Sequence, residues 1–324
     1  MSAGRQSLDR AKSRLQPWLQ ALGIGLTLSG VIFTARVMLQ NDALARMSWD
    51  ARLGASLALA CGAYALLSVL LVLVWASMLD AFAPGRISAS EAYALYALTQ
   101  ILKYLPSNVV HFVGRHLTLH RRGVSHVALL STVAGEAAAL ACGACLAAVA
   151  LQADVLTAAL GRHARIESLP AIAAVGLASC LGATLVWRYA ARHRRPGAAG
   201  MHRRLVARLT IAVAAAAVFF AATNLLIAMV CRALLDHPAG FSTPAVAAAL
   251  AGAWLVGFVI PGASAGIGVR EAAVILLLSP AVGAGDAALI AALSRIVTTG
   301  GDALFAGLGA LVRRWWATPA PHGR

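Results

Sequence analysis

Residues 54–79 read GASLALACGAYALLSVLLVLVWASML, a run of 26 positions without a charged side chain. A helix rises about 1.5 Å per residue, so this run is longer than the roughly 30 Å hydrocarbon core of a bilayer. In lipid a spanning segment must satisfy its own backbone hydrogen bonds, which an α-helix does. The stretch therefore predicts a membrane-spanning helix.

The composition of the whole chain agrees with that prediction. Of the 324 residues, 60% are hydrophobic and 12% are charged, and the mean hydropathy is +0.78. Ordinary soluble domains are less apolar and more charged. The formal charge of +15 is distributed between apolar runs and not along one face, so we expect no nucleic-acid partner.

Positive charge alternates along the chain in a way that predicts topology. Segments 1–17, 80–125 and 188–208 and the C-terminal tail are basic, whereas the segments between them are balanced. By the positive-inside rule, the basic segments and both termini are cytoplasmic. Six apolar runs fit this alternation as full crossings: about 18–39, 54–79, 126–151, 169–190, 209–231 and 285–312.

Two further apolar stretches, 87–120 and 243–281, must each begin and end on one side for the alternation to hold. Each is interrupted by a proline, Pro106 or Pro261, so each is either a re-entrant pair of half-helices or a short spanning hairpin. The predicted fold is an all-α polytopic bundle in the inner (cytoplasmic) membrane. It comprises a cytoplasmic N-terminus at 1–17, a single integral membrane domain at 18–312 and a cytoplasmic tail at 313–324.

The two interrupted stretches share a spacing. Pro106 lies nine residues before Arg115, and Pro261 lies nine residues before Arg270. Matched breaks in two halves are typical of inverted-repeat transporters, whose substrates bind near the midplane. The spacing indicates an inverted repeat, with a chance match in a Gly-rich chain as the alternative.

The residues around the two breaks have the chemistry of an anion site. Arginine recognises phosphate with two N–H groups, lysine contributes a point charge, and helix N-termini present free N–H groups. Glycines allow a close backbone approach to a ligand, although a tight bend between short helices is the alternative. The candidate binding residues are Lys103, Asn108, His111, Arg115, Pro261, Gly262, Gly266, Gly268 and Arg270.

Four more ionisable residues lie in apolar segments: Glu136, Glu271, Arg295 and Asp302. Such residues cost roughly 2.5–3.5 kcal/mol each on insertion scales and usually face a cavity or a partner. Arg295 and Asp302 are seven positions apart on one helix face, so a structural ion pair between them is an alternative to a functional role.

Other motifs point away from metal and enzyme chemistry. His116 and His120 are four residues apart, but the surrounding cations would repel a metal ion, so we expect none. All five cysteines fall in apolar runs, which is typical of core residues. No Walker loop, nucleophile elbow or H-E-x-x-H motif is present. We therefore expect that the protein binds no cofactor and has no enzymatic activity.

At the two breaks the sequence resembles the lysylphosphatidylglycerol synthase membrane-region family. This family includes the flippase half of the bacterial multiple-peptide-resistance factor and proteins encoded near glycolipid and hopanoid genes. The resemblance is carried by QILKYLPSN at 100–108 with HFVGR at 111–115, by Glu136, and by FVIPGASAGIGVRE at 258–271. It extends over about 18–312. Ser107 stands where the family often has Gly, and Ser264 where it often has Pro.

The resemblance implies a compact bundle with re-entrant elements that translocates or presents a lipid. No soluble aminoacyl-transferase domain follows the membrane region in this sequence, so aminoacylation is not expected. The leading hypothesis is a flippase for a phospholipid or a polyprenyl-phosphate-linked lipid. In it, Lys103, Arg115 and Arg270 hold the phosphate, and Glu136 and Glu271 change protonation or partners.

Two alternatives to transport remain. One is a membrane-embedded transferase in glycolipid, hopanoid or cell-envelope lipid synthesis, with Glu136 or Glu271 as a general base. The other is an accessory protein that recruits a glycosyltransferase or another lipid-biosynthesis enzyme to the membrane.

Overall fold

The computed structural model describes residue 25 and residues 28–40, 50–105, 110–152, 198–235, 241–260 and 264–317. Within these residues the protein is all-α and contains no strand, so the all-α part of the predicted fold is confirmed for them. The described helices are α1 (Leu28–Gln40), α2 (Ala51–Leu67), α3 (Val69–Phe82), α4 (Ala89–Gln100), α5 (Val110–His120), α6 (His126–Leu151), α7 (Ala198–Leu234), α8 (Thr243–Val259), α9 (Val269–Val282) and α10 (Ala284–Ala317).

Four described segments are long and apolar enough to cross a membrane: Ala51–Phe82, His126–Leu151, Arg203–Leu234 and Ala284–Arg314. They coincide with four of the six predicted crossings. Of the predicted crossing at 18–39, the structure describes mainly residues 28–39, which lie in the short apolar helix α1. The predicted crossing at 169–190 lies outside the described residues, so the count of six stays a prediction.

The first interrupted stretch is a hairpin of two short helices. Helix α4 runs through a 3₁₀ turn at Ile101–Tyr104, and α5 returns from Val110. Arg122, just after α5, forms an exposed 3.2 Å ion pair with Glu91 in the first turn of α4, so both ends of the hairpin lie together. A hydrogen bond from the Ser88 backbone, with help from Arg122, holds the pKa of Glu91 below its ordinary value. Neither helix spans a bilayer, because 12 residues of helix measure only about 18 Å.

The second interrupted stretch also reverses direction at its break. Between α8 and α9 lie a 3₁₀ turn at Ser264–Gly266 and positive φ angles of 50°, 68° and 84° at Ala265, Gly266 and Gly268. A Cβ atom on Gly266 would lie 3.2 Å from the Cα atom of Gly257. Glycine at 257 and 266 therefore lets the returning chain lie directly against α8.

Helix α7 is the central element of the bundle. It contacts α2, α3, α6, α8 and α10, while α10 also contacts α2, α4 and α9. The buried surfaces are rich in alanine, and small residues let helix backbones approach closely in a membrane. The 3₁₀ turns of the two hairpins contact each other, which brings both breaks to one place.

Close packing of α6 on α7 makes a testable prediction. A Cβ atom on Gly143 would lie 2.7 Å from the backbone nitrogen of Ala217, so Gly143→Ala should destabilise the protein by about 1–3 kcal/mol. Gly62→Ala is the matched control, because a Cβ atom on Gly62 meets nothing within 4 Å. By helix propensity alone, Gly62→Ala should either leave the free energy of unfolding unchanged or raise it by up to about 1 kcal/mol. Denaturant unfolding in detergent measures both, and equal stability of the two variants would contradict the packing.

Candidate functional site

A cavity of about 120 Å³ lies where the two helix breaks meet. The first hairpin contributes Lys103 and His111 to its wall, and the second contributes Gly266 and Arg270. Helices α6, α7 and α10 complete the polar part of the wall with Glu136, Asn224 and Arg295. The structure therefore brings together six of the residues predicted from sequence, from the two hairpins and from helices α6 and α10.

Arg115 lies beside this cavity and is bound to Glu136. Its Nη1 atom is 2.9 Å from Glu136 Oε1, and both side chains are almost completely buried. The Tyr96 hydroxyl donates to the same oxygen at 3.2 Å, and the guanidinium lies over the Tyr96 ring at 4.4 Å. This ion pair joins the first hairpin to α6 and leaves Arg115 electrically balanced.

A second ion pair joins the first hairpin to α10. Lys103 Nζ lies 2.7 Å from Asp302 Oδ2, and the neighbouring Tyr104 hydroxyl donates to that oxygen at 2.6 Å. Asp302 is completely buried. The 3₁₀ turn of the first hairpin is thus fixed to α10 by two adjacent side chains.

A third ion pair joins the second hairpin to α10. Arg295 pairs with Glu271, and its Nη1 atom donates to the carbonyl oxygen of Ala265 at 3.1 Å. Glu271 also accepts a 2.6 Å hydrogen bond from the backbone N–H of Gly268, which caps the start of α9. Arg295 and Glu271 together therefore hold the break in its left-handed conformation.

The structure gives Arg295 and Asp302 separate partners instead of the mutual pair that sequence spacing allowed. Seven residues of helix separate their Cα atoms by about 10 Å along the axis. Each side chain instead meets an opposite charge from a hairpin that packs against α10, at Glu271 and Lys103.

Arg270 is the fourth cation of the site and differs from the other three. None of the ion pairs among the described residues includes it, and its Nε atom is buried without a hydrogen-bond partner. Among the described residues of the site, four cations therefore stand against three carboxylates. In sequence, the undescribed residues 106–109 and 261–263 contain no ionisable side chain.

Several other buried polar atoms of the cavity wall also lack a hydrogen-bond partner in the part of the chain that the structure describes. They are Nη2 of Arg295, Nδ2 of Asn224, Nδ1 of His111 and Oε2 of Glu136. Buried polar atoms in proteins are nearly always hydrogen-bonded. A group of them on one cavity indicates a binding site for a polar ligand, and the cationic and amide donors favour an anion.

An aromatic row forms the apolar part of the cavity wall. The rings of Phe219, Phe220, Trp254 and Phe258 follow one another with centroid separations of 5.3, 4.4 and 4.8 Å, and Tyr64 precedes them at 5.8 Å. The cavity therefore has a charged face and an apolar face, which suits an amphiphilic ligand.

The remaining predicted residues have different surroundings. Gly268 contributes its N–H to the cap of α9. The backbone of Gly268 also lies so close to α1 that a Cβ atom on Gly30 would overlap it. Asn108, Pro261 and Gly262 lie outside the described residues. His116 and His126 share a 2.8 Å hydrogen bond, and no described group of His, Cys, Asp and Glu is arranged to hold a metal ion.

Sequence reasoning missed part of the wall. Asn224 lies within the predicted crossing 209–231, where an amide among apolar residues is a signal of a cavity or a partner. Tyr96 and Tyr104 donate hydrogen bonds to Glu136 and Asp302. Neither tyrosine carries a comparable signal, because tyrosine is common in apolar helices. The aromatic row draws on α2, α7 and α8, so only the folded chain brings it together.

The described part of the chain is thus an all-α bundle with four helices able to cross a membrane and a charged cavity at two helix breaks. Comparison with protein-family models, with curated proteins and with solved structures found no match. The chemistry of the cavity is therefore the basis for assigning a function.

Proposed function

We propose that this protein is a lipid flippase that binds a phosphate-bearing head group in the cavity between the two hairpins. The observation that carries the proposal is Arg270, a cation on the cavity wall without a carboxylate partner among the described residues. An unpaired charge in an apolar interior is costly, and an anionic ligand offsets that cost.

The aromatic row beside the charged residues supports a lipid over a soluble anion. At about 120 Å³ the cavity is smaller than the roughly 300–1,000 Å³ of pockets that enclose a whole drug-sized ligand. It suits a head group whose chains stay outside, against the aromatic row or in the bilayer. Phospholipids and polyprenyl-phosphate-linked lipids both have this form, and the resemblance of residues 100–115 and 258–271 to the lysylphosphatidylglycerol synthase membrane-region family agrees with it.

The ion pairs supply a means of coupling binding to movement. Lys103–Asp302 and Arg295–Glu271 each join a hairpin to α10, so a ligand that competes for either cation would loosen that hairpin. A ligand shifts a conformational equilibrium only through such differential contacts. The proposal places the hairpins as the two halves of an inverted repeat, within six crossings of the inner membrane and with both termini cytoplasmic.

Fluorescent-lipid scrambling in proteoliposomes tests the proposal. The purified chain is reconstituted with anionic phospholipids or polyprenyl-phosphate lipids, and loss of fluorescence to an impermeant quencher reports transfer between leaflets. Arg270→Ala should slow scrambling at least about tenfold, because a charge-assisted hydrogen bond contributes about 1.5–3 kcal/mol. Arg232→Ala is the matched control, because Arg232 is exposed and bonds only Thr243 among described side chains.

The possible outcomes separate the hypotheses. Equal rates for Arg270→Ala and wild type would contradict the proposed site. Folded protein that scrambles no lipid in the panel would favour the membrane-embedded transferase or the accessory protein for lipid-biosynthesis enzymes.

A further inference from the structure

The charges around the cavity indicate how much negative charge the ligand carries. We infer that the ligand carries a single negative charge at its phosphate, so that it is a phosphodiester and not a phosphomonoester or a diphosphate. The inference rests on the proposed function, because it assigns a charge class to the head group bound in the same cavity.

The first step is the charge count. Lys103 and Arg115 are matched by Asp302 and Glu136, and Arg295 is matched by Glu271. Counted with His111 neutral, the described residues of the site leave one positive charge in excess, at Arg270. One negative charge on the ligand makes the occupied site neutral.

The cost of removing the ligand from water also favours a monoanion over a dianion. The free energy needed to move an ion out of water rises with the square of its charge, so a dianion costs about four times as much as a monoanion. Its attraction to the one excess cation only doubles. A dianion would also leave one uncompensated negative charge in an apolar interior.

The third step is the arrangement of unpartnered atoms. Arg270 Nε, Arg295 Nη2 and Asn224 Nδ2 are buried donors that no described residue satisfies, and all three residues line the cavity. Donors of this kind suit the two non-bridging oxygens of a phosphodiester. Glu136 Oε2 is an acceptor without a described partner on the same wall, so it offers no donor to the third non-bridging oxygen of a phosphomonoester.

Equilibrium binding to the detergent-solubilised full chain tests this inference. Three lipids are the probes. Phosphatidylglycerol is a phosphodiester, phosphatidic acid is a phosphomonoester, and undecaprenyl diphosphate is a diphosphate. Measurements at about pH 9.5 keep the phosphomonoester dianionic, since its second pKa is near 6 in water and the negative surface of a lipid micelle raises it. Phosphatidylglycerol should bind at least about tenfold more tightly than either of the others. Equal or tighter binding of phosphatidic acid or the diphosphate by folded wild-type protein would overturn the inference.

Two variants and two soluble probes sharpen the test. Arg270→Gln should abolish the preference, whereas Arg270→Lys keeps the charge and should retain it. Dimethyl phosphate and inorganic phosphate separate the head-group chemistry from the lipid chains. Tighter binding of dimethyl phosphate supports the inference without a lipid, and tighter binding of inorganic phosphate contradicts it.

Binding and transport can fail independently. A phosphodiester preference in a protein that scrambles no lipid supports this inference and removes transport from the proposed function. Equal affinities for all three lipids, together with Arg270-dependent scrambling, support the proposed function and overturn this inference.

Discussion

Arg115→Leu should lower the free energy of unfolding by about 3–5 kcal/mol, because it leaves the carboxylate of Glu136 buried without its cation. Glu136 is only 1% exposed, so water cannot replace the lost partner. The Tyr96 hydroxyl would be the remaining hydrogen-bond donor to its Oε1 atom. Denaturant unfolding in mixed detergent micelles measures the loss.

A double variant and a surface pair serve as controls for Arg115→Leu. Combining it with Glu136→Leu should restore most of the lost stability, since replacing a buried ion pair by apolar residues is often neutral or stabilising. Arg122→Leu breaks the exposed pair with Glu91 and should change stability by at most about 1 kcal/mol. If Arg115→Leu and Arg122→Leu had equal effects, the burial of the Arg115–Glu136 pair would be contradicted.

Asp302→Asn should weaken the fold and at the same time strengthen anion binding. The variant leaves Lys103 without its carboxylate and raises the excess charge of the site from one to two. We expect a loss of about 3 kcal/mol of stability, because Asp302 is completely buried. The ligand preference should move by at least about tenfold from phosphatidylglycerol toward phosphatidic acid.

A variant with a damaged fold should lose both stability and anion affinity. If Asp302 sets the charge of the site, Asp302→Asn should lose stability but gain affinity for anions. Asp80→Asn is the matched control, because Asp80 pairs with Arg208 at 2.8 Å, where both side chains are partly exposed. That variant should leave lipid preference unchanged. A parallel loss of stability and of all lipid binding in Asp302→Asn would contradict the charge count.

The helices that are long and apolar enough to span a membrane could be predicted from sequence, because the length of an apolar run determines them directly. The predicted crossing at 126–151 has the same limits as α6, and the run at 54–79 lies within Ala51–Phe82. The break between α4 and α5 could also be predicted, because a proline in a helix interior removes a backbone hydrogen bond and usually kinks or breaks the helix. These features are local, so no knowledge of tertiary contacts is needed.

The partners of the charges could not be predicted, because they depend on which helices pack together. Lys103 and Asp302 are 199 positions apart, and nothing in their local sequence links them. The spacing of Arg295 and Asp302 suggested a pair within one helix, yet each meets a hairpin instead. Arg115, expected from sequence to hold the phosphate, is already balanced by Glu136 in the folded chain. Arg270 is thereby left as the excess cation.

Cryo-electron microscopy of the full chain in phosphatidylglycerol nanodiscs tests the central claim, head-group binding at the cavity, most directly. We expect a phosphate-sized density between the hairpins, with an oxygen within about 3 Å of Arg270 Nε and of Asn224 Nδ2. The same density should be missing from Arg270→Gln. A wild-type map in which Arg270 instead contacts a carboxylate, with no lipid phosphate in the cavity, would contradict the account.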